Sequence, residues 1–485
     1  MTEINWKKLQ NGSDIRGVAM EGIKNEDVDL TPAVAKRLGE CFAVWLKQKY
    51  KEEKSVRISV GMDSRLSGPA LLKAVAEGLT ECGIEVYSFG LASTPAMFMS
   101  TVMGNNPMHG AIMLTASHLP FNRNGLKFFT RDGGLDKADI TTILNLAESN
   151  DSFKTTKGSF SEMDFMDVYA NHFVDMVRSK VNSSENYNQP LKGLKIVVDA
   201  GNGAGGFYAT KVLEPLGADI SASQYLEPDG RFPNHVPNPE DATAMSSIVR
   251  AVKESQANLG VIFDTDVDRM ALVAGNGSPI NRNALIALIS AVVLEEHPGT
   301  TIVTDSITSN GLAWFIKEHL KGRHHRYKRG YKNVINEAIR LNREGEPTWL
   351  AIETSGHAAL KENYFLDDGA YLATKLIITL AKLRPQGKNL AYLIKDLPAA
   401  VESSEFRIPI KTPDFKEYGQ QVIMDLGLLA GSKQGWDIAP DNFEGVRINS
   451  TIPNQKGWFL LRLSLHDPVI PLNIESEVEG GMNEI

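Results

Sequence analysis

The chain is poor in cysteine. Two in 485 residues, Cys41 and Cys82, cannot build a disulfide framework or a multi-cysteine metal site. Both fall in apolar helical patterns, which predicts buried thiols. Long apolar runs are also missing. A membrane-spanning helix needs about 20 apolar residues, and the nearest approach, Ala284–Leu294, is interrupted by Ser290. The opening MTEINWKKLQ lacks the apolar stretch of a secretory signal, so a cytoplasmic location and no membrane partner are expected. Nor is there an excess of positive charge: 51 Lys+Arg against 59 Asp+Glu give a formal net charge of −8. That balance argues against nucleic acid as a partner but not against a small anionic ligand, which needs only a locally positive pocket. What is present is an ordinary globular mix, 42% hydrophobic and 23% charged, which favours packed cores over disorder. At roughly 100–200 residues per domain, three or four domains are expected.

A repeated pattern runs along the chain. The alternating run Val56–Met62 ends at Asp63-Ser64, and a turn with Ser67-Gly68-Pro69 leads into an apolar-periodic helix, Ala70–Glu81. Lys195–Val198 ends at Asp199-Ala200 and passes through a Gly-rich turn to Tyr208–Leu216. Thr301–Thr304 ends at Asp305-Ser306 and leads through Ser309-Asn310-Gly311 to Leu312–Leu320. Each unit reads strand, Asp at the carboxyl end, small-residue turn, helix. The Asp spacings, 199 − 63 = 136 and 305 − 199 = 106, are too long for a solenoid of ~20–50-residue repeats. They suit three copies of an α/β domain with mostly parallel strands. Near the end, Phe406–Ile410, Val446–Asn449 and Trp458–Ser464 are short strand-like runs, the last two flanking a polar turn at Ile452–Lys456. They predict a smaller α+β domain with antiparallel pairing.

Several segments carry chemistry. Thr115-Ala116-Ser117-His118 follows the small apolar run Gly110–Leu114, with Pro120, Gly125 and Lys127 beyond it. A serine presented on such a turn, beside a base and a cation, is a candidate nucleophile, although a loop serine bonded to its own turn is the plainer reading. Asp264, Asp266 and Asp268, followed by Arg269, sit behind the strand Val261–Phe263. Three carboxylates at alternate positions repel one another unless a cation binds, and an all-oxygen set suits Mg²⁺ or Ca²⁺. Arg269 and Gly275 at the sixth and twelfth positions exclude an EF-hand. A phosphatase nucleophile at Asp264 is an alternative. Gly201–Gly206 matches G-x-G-x-x-G, but no acidic residue is well placed about 20 positions on, and a structural turn is favoured over a dinucleotide site. Glu353, Ser355 and His357 follow the run Trp349–Ile352 and offer groups for sugar hydroxyls or proton transfer. Arg16, in Ser13–Gly17, and Arg462, in Arg462–Pro468, lie in turn-like contexts where a guanidinium could grip phosphate or pair on the surface.

Taken together and in this order, these segments resemble the α-D-phosphohexomutase family, from Ser13 to Pro468. The most specific are Thr115–Pro120 with Asn124–Lys127, and the Asp264/Asp266/Asp268/Arg269 loop; Val60–Arg65 and Asp229–His235 also look like family segments. The resemblance implies three related α/β domains with mixed, mostly parallel sheets and a smaller C-terminal α+β domain around a central cleft. The expected boundaries are 1–160, 161–276, 277–398 and 399–485. It implies a phosphorylated Ser117, with Mg²⁺ held by the phosphoserine and Asp264, Asp266 and Asp268. Arg16, Lys127 and Arg269 would steady the phosphoryl oxygens, and His118 or Lys127 would help move the serine proton. Glu353, Ser355 and His357 would meet sugar hydroxyls. Arg462, Ser464, His466, Arg329 and Lys332 would hold the substrate's existing phosphate. The terminal loop reads Leu465-His466-Asp467 where relatives usually carry a small residue, Thr and Glu.

The activity implied is interconversion of hexose 6-phosphate and hexose 1-phosphate through a hexose 1,6-bisphosphate, which also serves as activator. The Ser13–Gly17 segment favours glucose and mannose over glucosamine. A glucosamine-phosphate mutase of the same family and an inactive descendant are the alternatives. The partner expected is a small-molecule hexose phosphate, and the chain is expected as a monomer or dimer.

Overall fold

The computed structural model describes residues 4–149, 151–155, 157–464 and 467–485. They form two compact units, Met1–Ile280 with Leu366–Pro385, and Asn281–Phe365 with Gln386–Ile485.

In the first unit a mixed sheet runs in the order Gln10–Asn11, Asp14–Val18, Arg123–Thr130, Gly110–Leu114, Arg57–Met62, Glu85–Leu91, Phe160–Glu162. Its centre is parallel: Arg57–Met62 pairs in parallel with Glu85–Leu91 on one side and Gly110–Leu114 on the other. Gly110–Leu114 then pairs antiparallel with Arg123–Thr130. The helix Pro32–Lys49 begins where theory places it, with Thr31 accepting from the Val34 N–H and Pro32 in the first turn. Its buried Val34, Leu38, Phe42 and Leu46 recur at helical spacing and pack on the sheet core, with both cysteines buried as free thiols.

The second domain repeats the arrangement in smaller form. Ile196–Asp199 pairs in parallel with Leu259–Phe263, which pairs antiparallel with Met270–Ala274. In the second unit Thr301–Asp305 pairs in parallel with Thr348–Ile352, which pairs antiparallel with Ala358–Leu360. In all three domains one loop therefore joins the central parallel strand to the antiparallel strand. Those loops carry Ser117, Asp264–Arg269 and Glu353–His357 respectively. The repeat noted in the sequence marks the strand beside each loop, with Asp63, Asp199 and Asp305 all buried at or just past its end.

The last domain is a sheet of five strands, Glu402–Pro409, Val469–Ser476, Gly457–Leu461, Val446–Ser450 and Trp436–Ile438, antiparallel throughout. The helix Phe415–Ser432 lies over a core of Ala430, Val446, Ile448, Phe459 and Ile474.

Two details differ from the sequence reading. The helix expected at Tyr208–Leu216 is a π-helix at Tyr208–Leu213, and the one expected at Leu312–Leu320 is α at Asn310–Trp314 and π at Phe315–His319. Apolar periodicity does not separate a 3.6-residue turn from the wider i→i+5 turn. The strand expected to reach Ser464 stops at Leu461. The helix Gly369–Leu383, within the expected 277–398 segment, packs with the first compact unit. The Tyr169 hydroxyl donates to Asp368 at its start, 2.8 Å, and Thr374 shares a hydrogen bond with the Tyr208 hydroxyl, 2.8 Å. No helix among the described residues is long and apolar enough to cross a membrane.

The loop from Asp229 to His235 is tied back to the second domain by a buried ion pair. His235 Nε2 lies 3.0 Å from Asp199 Oδ1 and its Nδ1 lies 2.9 Å from the Val236 carbonyl. Both partners are acceptors, so both ring nitrogens carry hydrogen and the ring is an imidazolium. Burial alone would lower its pKa, but the hydrogen bond and charge of Asp199 outweigh this and hold it above 6.5. A raised histidine pKa stabilises the fold below the unfolded value, and that contribution is lost as pH rises through the folded value. Wild-type stability in urea is therefore expected to fall as pH rises from about 6.5. His235→Gln should be less stable by about 1–3 kcal/mol at low pH and should lack most of that slope. Parallel pH profiles for the two proteins would contradict the assignment.

Candidate functional site

In the first unit the structure brings together residues from two domains around Ser117. The serine sits at φ +51°, the left-handed region rarely used by side-chain-bearing residues, and its N–H donates to Thr115 Oγ1, 2.9 Å. Its hydroxyl donates to Asp264 Oδ2 at 3.1 Å and accepts from Arg269 Nη2 at 3.2 Å. Arg269 Nη2 also donates to His118 Nδ1 at 2.7 Å, which places the lone pair of His118 on that nitrogen. Arg269 holds Asp264 as well, through Nε at 3.1 Å and its backbone N–H at 3.2 Å. Arg16 lies across the sheet from Gly125, beside the serine loop, and bonds Asp14 at 3.0 Å.

The acidic loop is wholly buried. Asp264, Asp266 and Asp268 are each 0% exposed, and each offers an oxygen within 4.8 Å of the other two. Lys127 Nζ bridges two of them, 3.0 Å to Asp266 and 2.6 Å to Asp268. Asp266 is further fixed by the Thr94 hydroxyl, 2.5 Å, and by the Thr94 N–H on its carbonyl, 2.9 Å. Val267 turns the chain with φ +68°, a costly conformation for a β-branched residue. Three carboxylates face two cations, Lys127 and Arg269, so with all three ionised one negative charge is uncompensated. Burial and the neighbouring Asp268 push Asp264 well above the usual carboxylate range, against the pull of Arg269. Asp266 Oδ1 is buried with no hydrogen-bond partner. An excess charge, an orphaned carboxylate oxygen and an all-oxygen donor set fit a hard divalent cation.

The Gly201–Gly206 turn serves this loop rather than opening a cradle. A Cβ on Gly203 would lie 2.6 Å from the Thr265 carbonyl oxygen, and one on Gly206 would lie 2.3 Å from that of Leu226. The Ala204 N–H donates to the Thr265 carbonyl at 2.8 Å.

In the second unit, Glu353, Ser355 and His357 share one turn. Glu353 is buried and accepts from the Gly330 N–H, 2.6 Å, while Ser355 Oγ lies 3.4 Å from its other oxygen. His357 stacks on Tyr331, with ring centroids 5.1 Å apart. Thr354 donates to Asp305 at 2.7 Å. Burial, reinforced by Glu353, raises Asp305 to about 7.

Two of the expected phosphate ligands meet at one carboxylate. The Arg329 N–H donates to Glu444 at 3.0 Å, and the Arg462 guanidinium is 3.8 Å from the same side chain. Ser306 donates to Glu444 at 2.7 Å. Lys332 lies in the first turn of the helix Tyr331–Arg343. Ser464 Oγ accepts from the Asp467 N–H, 3.2 Å. His466 and Leu465 lie outside the described residues.

Sequence reasoning gave no role to Thr94, Glu444 or Arg65, a buried arginine beside the serine loop. Only Arg65, two residues after the repeated Asp63, had a local signal.

With this geometry in view, comparison with known proteins is decisive. Models of the phosphoglucomutase/phosphomannomutase α/β/α domains I, II and III match residues 7–154, 169–277 and 281–401. The chain is 30% identical over 474 residues to a phosphoglucomutase of Neisseria gonorrhoeae, covering 97% of this chain and 94% of that one. It is 31% identical over 464 residues to a phosphomannomutase/phosphoglucomutase of Pseudomonas syringae pv. tomato, covering 94% and 92%. A crystal structure of a phosphoglucomutase/phosphomannomutase family protein from Burkholderia thailandensis superposes with TM-score 0.80 at 27% identity, covering 100% of this chain and 96% of that one. The fold and site thus define an intramolecular phosphotransferase. The chain belongs to the phosphoglucomutase/phosphomannomutase family, the α-D-phosphohexomutases.

The electrostatics of the acidic loop give a stability prediction. Lys127→Met leaves Asp266 and Asp268 without their shared cation. Removing one partner from a buried ion pair costs about 3–5 kcal/mol. Denaturant unfolding in EDTA should show a loss of that order, and saturating divalent cation should restore more stability to the variant than to wild type. Equal stabilities in EDTA would contradict the arrangement.

Proposed function

We propose that this phosphohexomutase interconverts the 6- and 1-phosphates of glucose and mannose through a phosphoserine at Ser117 and a hexose 1,6-bisphosphate. The observation that carries the reading is the placement of the Ser117 hydroxyl between Asp264 and Arg269. A carboxylate that fixes the direction of the serine hydroxyl and a guanidinium that meets the serine oxygen suit phosphoryl exchange at that oxygen. When Ser117 takes a phosphoryl group from the bisphosphate, the new bond forms at Ser117 Oγ as the bond to the sugar oxygen breaks, and the serine proton passes through His118, whose Nδ1 lies 3.3 Å from the serine oxygen, to the sugar oxygen set free. Arg269 stays beside the oxygen and offsets charge on the phosphoryl group.

Lys127 keeps Asp266 and Asp268 in register. Arg16 supplies further positive charge beside the loop. Asp264, Asp266 and Asp268 would hold Mg²⁺, which when bound neutralises charge on the phosphoryl oxygens. Glu353, Ser355 and His357 would orient the sugar through its hydroxyls. Arg329, Arg462, Ser464 and Lys332 would receive the substrate's other phosphate, with Glu444 holding the Arg329 backbone and the Arg462 guanidinium in place until it arrives. A hexose 1,6-bisphosphate would act as activator by charging Ser117.

A coupled assay over a panel of sugar phosphates tests this. Turnover is expected with glucose 1-phosphate and mannose 1-phosphate, should vanish in Ser117→Ala, and should drop about 10²–10³-fold in kcat in Arg269→Met. Full activity of Ser117→Ala would refute the phosphoserine. Turnover confined to glucosamine phosphates would refute the sugar assignment.

A further inference from the structure

Arg65 touches none of the reacting groups proposed above, yet among the described residues it is, with Arg447, one of the largest side chains to be fully buried, 1% exposed. A guanidinium has five N–H donors in a rigid fork, and here each has a partner. Nε bonds Asp63 Oδ2 at 3.2 Å. The other four reach backbone carbonyls around the serine: Ser117 at 2.5 Å, Leu119 at 2.7 Å, Pro120 at 2.7 Å and Arg123 at 3.0 Å. One planar group therefore fixes four carbonyls between Ser117 and Arg123. Asp63 fixes the fork in turn, accepting the Arg65 backbone N–H at 2.9 Å.

The roof over Arg65 comes from the second domain. The Phe232 ring lies 5.3 Å from the guanidinium carbon. Gly230 packs so closely that a Cβ there would stand 2.5 Å from the Ser64 carbonyl oxygen and the Leu66 nitrogen, and 2.7 Å from the Arg65 Cα. This loop is anchored at both ends. The Asp229 N–H donates to the Asn202 carbonyl at 2.9 Å, and His235 is bound to Asp199.

Ser117 needs such bracing. Its left-handed backbone costs on the order of 1–3 kcal/mol and persists only where surroundings over-determine it. Its hydroxyl must also hold its direction toward Asp264 and Arg269, since transfer to a misplaced oxygen is slow. We propose that Arg65 is the positioning residue of the phosphoryl-accepting serine loop, and that the Asp229–His235 loop of the second domain holds Arg65 in that role. The proposal rests on Ser117 being the phosphoryl carrier. It makes the second domain a part of the serine loop's support in addition to its acidic loop. Lysine cannot substitute, because three donors on one ammonium cannot serve four carbonyls and a carboxylate.

The test uses Arg65→Lys and Gly230→Ala in the full chain, with glucose 1,6-bisphosphate as phosphoryl donor. Intact mass follows the rate of Ser117 phosphorylation, steady-state assays give kcat and KM, and thermal unfolding reports the fold. Arg65→Lys should slow phosphorylation and kcat together, on the order of 10²-fold, with KM for the hexose phosphate unchanged. Gly230→Ala should slow both in the same way but less. Should Arg65→Lys fail to fold, Gly230→Ala decides alone, being outside the serine loop. Lowered stability with wild-type phosphorylation rate and kcat in the folded variants would overturn the proposal and leave Arg65 a structural residue. A wild-type protein that takes up no phosphate at Ser117 would instead show that the phosphoserine reading has failed, and the proposal with it.

Discussion

Three carboxylates buried on one short loop are the constraint to which the rest of the first unit responds. Asp264, Asp266 and Asp268 have no water to screen them, so their mutual repulsion acts at low dielectric and must be met by specific partners. Those partners come from both domains. Lys127 and Thr94 belong to the first, Arg269 follows the triad directly, and the Ser117 hydroxyl completes the set. The same contacts that compensate the charge bring the serine to it. Domain assembly and the placement of Ser117 therefore have one electrostatic origin. Because two cations do not balance three carboxylates, the cluster keeps an affinity for a further positive charge.

The topology explains why such different chemistries sit on related domains. In each of the three, the loop between the central parallel strand and its antiparallel neighbour carries the candidate site residues, and a buried aspartate stands beside it. Asp63 holds Arg65, which holds the serine loop. Asp305 accepts from Thr354 inside the Glu353–His357 turn. Asp199 binds His235 and so anchors a loop that reaches the first domain. The repeated aspartate is thus a support for loops, and the loops themselves differ: one carries Ser117, one the acidic cluster and one the Glu353–His357 turn.

Much of this was legible in the sequence because it was local. The strand–Asp–turn–helix repeat, the run of alternate aspartates and the serine after a buried strand each lie within a few consecutive residues. The antiparallel character of the last domain followed from its short alternating runs. What was not legible depends on long-range contact. Thr94 and Asp266 are 172 residues apart, and Ser306 and Glu444 are 138 apart; nothing in either segment announces the other. Arg65 was visible within a family segment, but its five partners are carbonyls and a carboxylate that only the folded loop supplies. The π-helical turns were missed because apolar spacing tolerates a wider turn. The packing of the helix Gly369–Leu383 against the first unit rests on buried hydroxyl contacts with Tyr169 and Tyr208, which periodicity does not report.

The central claim is that Ser117, and not a carboxylate of the acidic cluster, carries the phosphoryl group. The most direct measurement is to expose the wild-type protein to glucose 1,6-bisphosphate with Mg²⁺ and locate the phosphate by intact mass and peptide mapping. The account predicts a single phosphoryl group, acid-stable and on Ser117. An acid-stable protein without added mass, or a labile acyl phosphate on Asp264 with steady release of inorganic phosphate, would contradict it.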